Sequence, residues 1–331
     1  MSYLNTVFHP ERYHGHKKKP PFFEGWYYKL VDAAEQARYA IIPGIFLSDN
    51  PQKHHAFIQV LDGLTGQATY HRYPATEFWA AEDTFEVRIG NSYFSAEQIF
   101  LHIEDDQRTV HGEVHFSQLH PWPVRWTSPG IMGAFGYLPN MECNHGVVSL
   151  DHTLSGCLAI DGREISFNNG RGYIEKDWGK SFPAGYVWMQ SNHFHTAGTS
   201  FVGSIAIIPY LGITFPGFII GLWHKQHLYR FATYTKAKTE HLAISDTQVD
   251  WIVRNRTQRL QMTAQRAQGG LLYGPTRENM SDRVGETMLA TIELTLTAVQ
   301  KEHERLLFQG KGYNAGLEIH GDTERLLAMQ K

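Results

Sequence analysis

Along most of the chain apolar residues either alternate with polar ones or come in short runs bounded by Gly, Pro, Asn or Asp, which is the spacing of strands and turns. Phe22-Phe23-Glu24-Gly25-Trp26-Tyr27-Tyr28-Lys29-Leu30 is aromatic-rich and has no helical period. Runs at 40–46 and 56–63 follow at strand-and-turn spacing, and further alternating runs lie at 84–89, 98–103, 109–116, 147–150, 153–160 and 163–167. Only 239–268, which fits strand or helix, and the C-terminal tail break the pattern; no other window keeps apolar residues at i, i+3, i+4, i+7. The chain reads as all-β.

A weak internal repeat divides it. Gly25-Trp26-Tyr27-Tyr28-Lys29-Leu30 is echoed by Gly185-Tyr186-Val187-Trp188-Met189-Gln190, Ile41-Ile42-Pro43 by Ile207-Ile208-Pro209, and Phe57-Ile58-Gln59-Val60-Leu61 by Phe218-Ile219-Ile220-Gly221-Leu222. An aromatic-basic turn follows in each half, at Tyr70-His71-Arg72-Tyr73 and Leu228-Tyr229-Arg230-Phe231. The repeat predicts two similar antiparallel β-barrels in tandem. Residues 1–21, ending in Lys17-Lys18-Lys19-Pro20-Pro21, form an N-terminal arm; 22–180 form the first barrel and 181–331 the second. A barrel of about eight strands can hold one small ligand.

The stretch Gly172-Tyr173-Ile174-Glu175-Lys176-Asp177-Trp178-Gly179 stands at the seam. If it is extended, Tyr173, Glu175 and Asp177 share one face and Ile174, Lys176 and Trp178 the other, leaving Lys176 to pair with an acid elsewhere. No Asp, Glu, Lys or Arg occurs from Ser181 to His224, so the carboxylates stand at the entrance to the most apolar part of the chain. Within it, 201–223 is long enough to span a bilayer and carries no charge. Pro209, Pro216 and four glycines split it into two strand-length pieces, so two buried barrel strands are expected and no membrane span.

Composition narrows the partners. A net charge of −3 and a pI near 6.7 provide no electrostatic reason for nucleic acid or an anionic membrane, though peripheral membrane contact is left open. Charged residues are 19% and aromatics 13%, a balance that suits an aromatic-lined interior. Cys143 and Cys157 are too few for a disulfide framework and are expected as buried free thiols. The first residues lack a basic segment followed by an apolar core, which reads as cytoplasmic.

There is no nucleophile elbow, phosphate loop or dinucleotide fingerprint. His193-Phe194-His195 has no third ligand at diagnostic spacing, so neither metal nor cofactor is expected. At Glu24-Gly25-Trp26-Tyr27-Tyr28-Lys29, Asn144-His145-Gly146 and Glu175-Lys176-Asp177-Trp178-Gly179-Lys180-Ser181-Phe182-Pro183 the chain resembles the tocopherol cyclase family. More distantly, the pattern at Tyr173, Glu175, Asp177 and Gly179 is similar to one in carotenoid 1,2-hydratase and related lipocalin-like proteins.

The resemblance implies two lipocalin-like barrels with an apolar pocket. It also implies protonation of an isoprenoid double bond, with the cation trapped by a phenol oxygen or by water. A buried carboxyl beside a second carboxylate can hold the required proton, which makes Glu175 the acid to test first, with Asp177 as partner, His145 orienting the acid or accepting the proton, and Tyr173 alongside. Aromatic faces at Trp26, Tyr28, Tyr173 and Trp188 would each stabilise a carbocation by about 0.5–2 kcal/mol. Glu24, Trp178 and His193 complete the expected substrate-binding set. The functional reading is thus an acid-catalysed cyclase, hydratase or isomerase of the tocopherol cyclase type, acting on a hydrophobic isoprenoid or prenylated aromatic. The alternative is a non-catalytic carrier of a small hydrophobic molecule. A deeply buried Glu175 beside His145 or Asp177 and open to an apolar cavity favours catalysis, whereas one exposed to solvent or locked by lysine or arginine favours the carrier.

Overall fold

The computed structural model describes residues 6–300 and 303–330. The chain separates into two compact units, Met1–Phe182 with Gly270–Arg283, and Pro183–Gly269 with Val284–Lys331. Both are built from antiparallel strands.

In the first unit the strands are β1 (Phe22–Val31), β2 (Arg38–Leu47), β3 (His55–Asp62), β4 (Ala68–Pro74), β5 (Phe78–Ala80), β6 (Glu86–Ile89), β7 (Ser92–Ser95), β8 (Gln98–Glu104), β9 (Thr109–Ser117), β10 (Cys143–Ile160), β11 (Arg163–Ser166) and β12 (Arg171–Gly179). They form one sheet in the order β4-β3-β2-β1-β12-β10-β9-β8-β7-β6-β5, with β11 paired to β10. Among the described residues no ladder joins β4 to β5, so the hydrogen bonds establish a large antiparallel sheet. Period-2 alternation produces its core: Ile99, Leu101 and Ile103 of β8 are buried while the residues between them are not, and they pack with Trp26, Tyr28, Leu30, Ile58 and Ile174. Burying such a side chain contributes about 1.5–3 kcal/mol. A smaller cluster of Phe23, Phe46 and Phe57, with Tyr70, Phe182 and Met280 against it, forms separately.

Strand β12 is flanked on both sides, by β1 through Trp26↔Lys176 and Tyr27↔Glu175 and by β10 through His145↔Asp177 and Val147↔Glu175. Its end is set by Gly179. A Cβ there would lie 2.1 Å from the Glu142 carbonyl oxygen, so only glycine allows the chains to close. Gly179→Ala should lower the urea-unfolding stability by about 1–3 kcal/mol through overpacking. Gly25→Ala, whose Cβ would come no nearer than 3.6 Å to another atom, should cost less, and equal midpoints for the two variants would refute the close-approach argument.

The strands after residue 182 are β13 (Gly185–Ser191), β14 (His193–Phe194), β15 (Ser200–Tyr210), β16 (Ile213–His224), β17 (His227–Ala232), β18 (Lys238–Ile244), β19 (Gln248–Arg254), β20 (Gln258–Gln265), β21 (Gly270–Pro275), β22 (Met280–Gln300) and β23 (His303–Gly321); all belong to the second unit except β21 and the first residues of β22, which fall in the first. The second sheet follows the path β17-β16-β15-β13-β23-β22-β20-β19-β18, with β14 on β23. The uncharged 201–223 stretch is the hairpin of β15 and β16. Its turn is not at either proline but at Leu211-Gly212, both at positive φ (48 and 82), the conformation of a two-residue type I′ turn. Pro209 and Pro216 sit within the strands. The ambiguous 239–268 region is the meander β18, β19 and β20, and the tail ends in the short helix α1 (Thr323–Ala328), capped by Asp322 accepting from the Arg325 amide at 3.0 Å. Among the described residues no helix is long and apolar enough to cross a membrane. Both cysteines are free, but Cys157 is exposed and Cys143 half-buried, contrary to the expected burial: Cys157 lies on the polar face of β10.

Candidate active site

The alternation of β12 divides its side chains as the sequence predicts. On one face Tyr173 donates its hydroxyl to Glu175 Oε2 at 2.5 Å. His145, brought from β10 by its pairing with Asp177, places Nδ1 2.9 Å from Asp177 Oδ1 and Nε2 3.3 Å from Glu175 Oε2. The second contact is an ion pair off the line of a hydrogen bond. Glu175 is only 4% exposed and Tyr173 fully buried. The phenol, the two carboxylates and the imidazole thus form one tetrad, buried at Tyr173 and Glu175 and reaching partial exposure at Asp177.

Burial alone would lower the His145 pKa, but the Glu175 and Asp177 charges outweigh it and raise it to about 10. The ring is therefore an imidazolium at neutral pH, with both nitrogens turned to carboxylates. Donor atoms of His145, Glu175 and Asp177 lie within 4.8 Å of one another, close enough to share a divalent ion. An imidazolium carries a proton on each nitrogen and has no lone pair for a metal, so the protonated ring fits a proton relay better. Burial pushes the Tyr173 hydroxyl well above its ordinary value, aided by Glu175, which keeps it a donor.

His145 makes a checkable contrast with His152, which burial, with Arg171 and His120 nearby, lowers to about 3. In imidazole 15N spectra at pH 8, His145 should be cationic and His152 neutral; a His145 titrating near its ordinary 6.5 would refute the relay geometry. Because the folded value exceeds the unfolded one, the stability His145 contributes is complete below pH 6.5 and is lost as pH rises through about 10.

The opposite face of β12 carries a second charged group. Lys176 ion-pairs with Glu24, donates to the Arg12 carbonyl at 2.5 Å, and lies 4.8 and 4.7 Å above the Trp26 and Trp178 rings. His14 stacks on Trp178 at 4.4 Å, and its backbone amide donates to both Glu24 oxygens at 3.1 and 2.9 Å. Burial and then Lys176 lower the His14 pKa, so its neutral Nδ1 accepts from Lys176 at 3.0 Å while Nε2–H donates to the Thr6 carbonyl. Although burial opposes ionisation of Glu24, Lys176 and His14 hold its pKa below the usual range. The arm is thereby fastened to the first sheet. Sequence reasoning missed His14 and Arg12; the available signal was the single Glu and single Lys at matching phase on two otherwise apolar strand faces.

The remaining expected residues are Tyr28, Trp188 and His193. Tyr28 is in the core, donating to the Ser95 carbonyl at 2.9 Å and packing on Phe85, Phe94 and Phe116. Trp188 and His193 belong to the second unit; His193 is buried with Nδ1 3.0 Å from Asn192 Oδ1, and His195 falls beyond the strand, exposed. A cavity of about 590 Å³ opens within the first unit, lined by arm residues including Val7, Pro10 and Tyr13, by 129–141 residues such as Met132 and Leu138, and by His145 and Trp178. Its size is that of a small-molecule site.

Residues 98–321 match the protein family described as Tocopherol cyclase-like. Among curated proteins, the chain is 23% identical over 280 residues to the probable chloroplastic tocopherol cyclase of Oryza sativa subsp. japonica and 22% identical over 280 residues to the chloroplastic tocopherol cyclase of Zea mays. Each alignment covers 67% of this chain and 58% of the relative, so the chain spans little more than half the length of these proteins. Among solved structures, CghA matches with a TM-score of 0.56 at 12% identity, over 92% of this chain and 90% of that one, a likeness of fold alone.

Proposed function

The chain belongs to the tocopherol cyclase-like family, and from that premise we propose that it binds a hydrophobic isoprenoid or prenylated aromatic and isomerises or hydrates it by proton transfer to a carbon–carbon double bond. The observation that carries this reading is the tetrad, in which two carboxylates of one strand converge on one protonated imidazole and the buried one of them also accepts from a phenol. Such a group holds a proton next to a buried carboxylate and returns to its starting state after each cycle.

In the proposed cycle Glu175 receives the His145 proton and delivers it to the less substituted alkene carbon, leaving a tertiary cation. Asp177 keeps the imidazole oriented throughout. The Tyr173 ring, beside Glu175, offers its face to the cation, while the Trp26 and Trp178 faces are occupied by Lys176. A phenol or water oxygen then bonds to the cation and loses its proton to Glu175, from which His145 is reprotonated. Proton and charge balance over the cycle. The same reading takes each sheet as the wall of a lipocalin-like barrel.

The distinguishing experiment is turnover of a prenylated quinol in D2O. Cyclisation by this route puts one deuterium on carbon in each product molecule. Recovery of unchanged, unlabelled quinol that nevertheless binds would overturn the catalytic reading in favour of a carrier.

A further inference from the structure

We propose that the cavity of the first unit accommodates an amphiphile with an anionic head, a carboxylate or phosphate on an apolar body, and that Lys17, Lys18, Lys19 and Lys180 receive the head. All four lysines line the cavity, and the only carboxylate in its lining is that of Glu82. Among the described residues none of the four makes an ion pair or a side-chain hydrogen bond, whereas Lys176, buried in this unit's core, is fully coordinated. Three consecutive like charges repel one another, and an anion at the rim relieves that repulsion. Apart from polar side chains such as Asn140, Asn144 and His145, the lining is apolar or aromatic, including Val7, Pro10, Met132, Leu138 and Trp178. An anion without an apolar body would leave these surfaces wet, and an apolar body without an anion would leave the lysines unmatched.

Position adds direction. Lys17–Lys19 close the arm, immediately before the Pro20-Pro21 pair, while His145 is also in the lining. A ligand with its head at the lysines therefore extends its apolar body along the wall that contains His145. The inference borrows from the proposed function only the apolar ligand, not the chemistry, and it is tested by binding rather than turnover.

The test compares farnesol, farnesyl phosphate, farnesoate and inorganic phosphate on the full chain, by calorimetry in low and in moderate salt. Farnesyl phosphate and farnesoate should each bind about tenfold more tightly than farnesol, with the advantage shrinking as salt rises. In the variant with Lys17, Lys18 and Lys19 all replaced by Gln, the charged-to-neutral affinity ratio should collapse toward one, and Lys180→Gln should lower it part of the way. The replaced arm side chains are exposed, and an unchanged circular dichroism spectrum would certify the fold. Equal affinities for farnesol and its charged analogues in the wild type would overturn the inference, as would a ratio that survives the triple replacement. Inorganic phosphate binding as tightly as farnesyl phosphate would overturn the amphiphile and leave a simple anion site. A phosphate preference without a farnesoate preference would restrict the head to phosphate. Turnover of a neutral quinol with no charged-ligand preference would sink this inference while leaving the proposed function standing.

Discussion

Glu175→Gln is expected to reduce turnover of a prenylated quinol by at least about a hundredfold, the lower end of what a positioned proton donor contributes. The amide is close in size to the carboxyl, so the substitution preserves packing in a position only 4% exposed. What it removes is the proton-accepting oxygen that receives Tyr173 and faces His145. With that charge gone, one of the two influences raising His145 is lost, and its pKa should fall from about 10 toward its ordinary value. Two readouts therefore move together: the rate and the imidazole titration. Ligand affinity should change by much less than the rate. If the variant keeps its turnover while the His145 titration shifts as expected, the tetrad is a structural ion network and the acid lies elsewhere.

Lys176→Met should destabilise the first unit by about 3–5 kcal/mol, because it strands the Glu24 carboxylate in a fully buried site. The loss should be specific to the missing charge. Combining it with Glu24→Leu removes both ions, and most of the stability should return, since the desolvation cost disappears with the attraction. The arm offers a second measurement. Lys176 and Glu24 hold it through the Arg12 carbonyl and the His14 amide, so limited proteolysis before Phe22 should accelerate in the single variant. A stability change under about 1 kcal/mol would mean that the site relaxes or hydrates, and that the clamp contributes little.

Much of this was readable along the chain, for a local reason. Strand alternation depends on neighbouring residues alone, so the separation of Tyr173, Glu175 and Asp177 from Ile174, Lys176 and Trp178 could be stated without any tertiary knowledge, as could the need of Lys176 for an acid. The partners could not. His145 reaches Asp177 through a ladder between strands distant in sequence, and His14 reaches Glu24 from a polar arm with no strand pattern. For 239–268 the local signal fails differently: Gln, Thr and Arg fill the exposed positions and suit either helix or strand, and the choice is made by pairing with β22. Of the two prolines and four glycines that divide 201–223 into two strands, only Gly212 forms the turn, with Leu211; an edge-tolerant proline can remain in a strand while Leu211 and Gly212 take the left-handed conformations.

Because successive residues of β12 face opposite ways, that one strand works as a partition between two ionic compartments. The side bearing Glu175 and Asp177 holds a cation shared by two anions, whereas the side bearing Lys176 is balanced by Glu24. The strand between them is held by ladders with β1 and β10. A one-residue insertion between Gly172 and Tyr173 would exchange the compartments' contents, presenting an ammonium to His145 and carboxylates to Trp26 and Glu24.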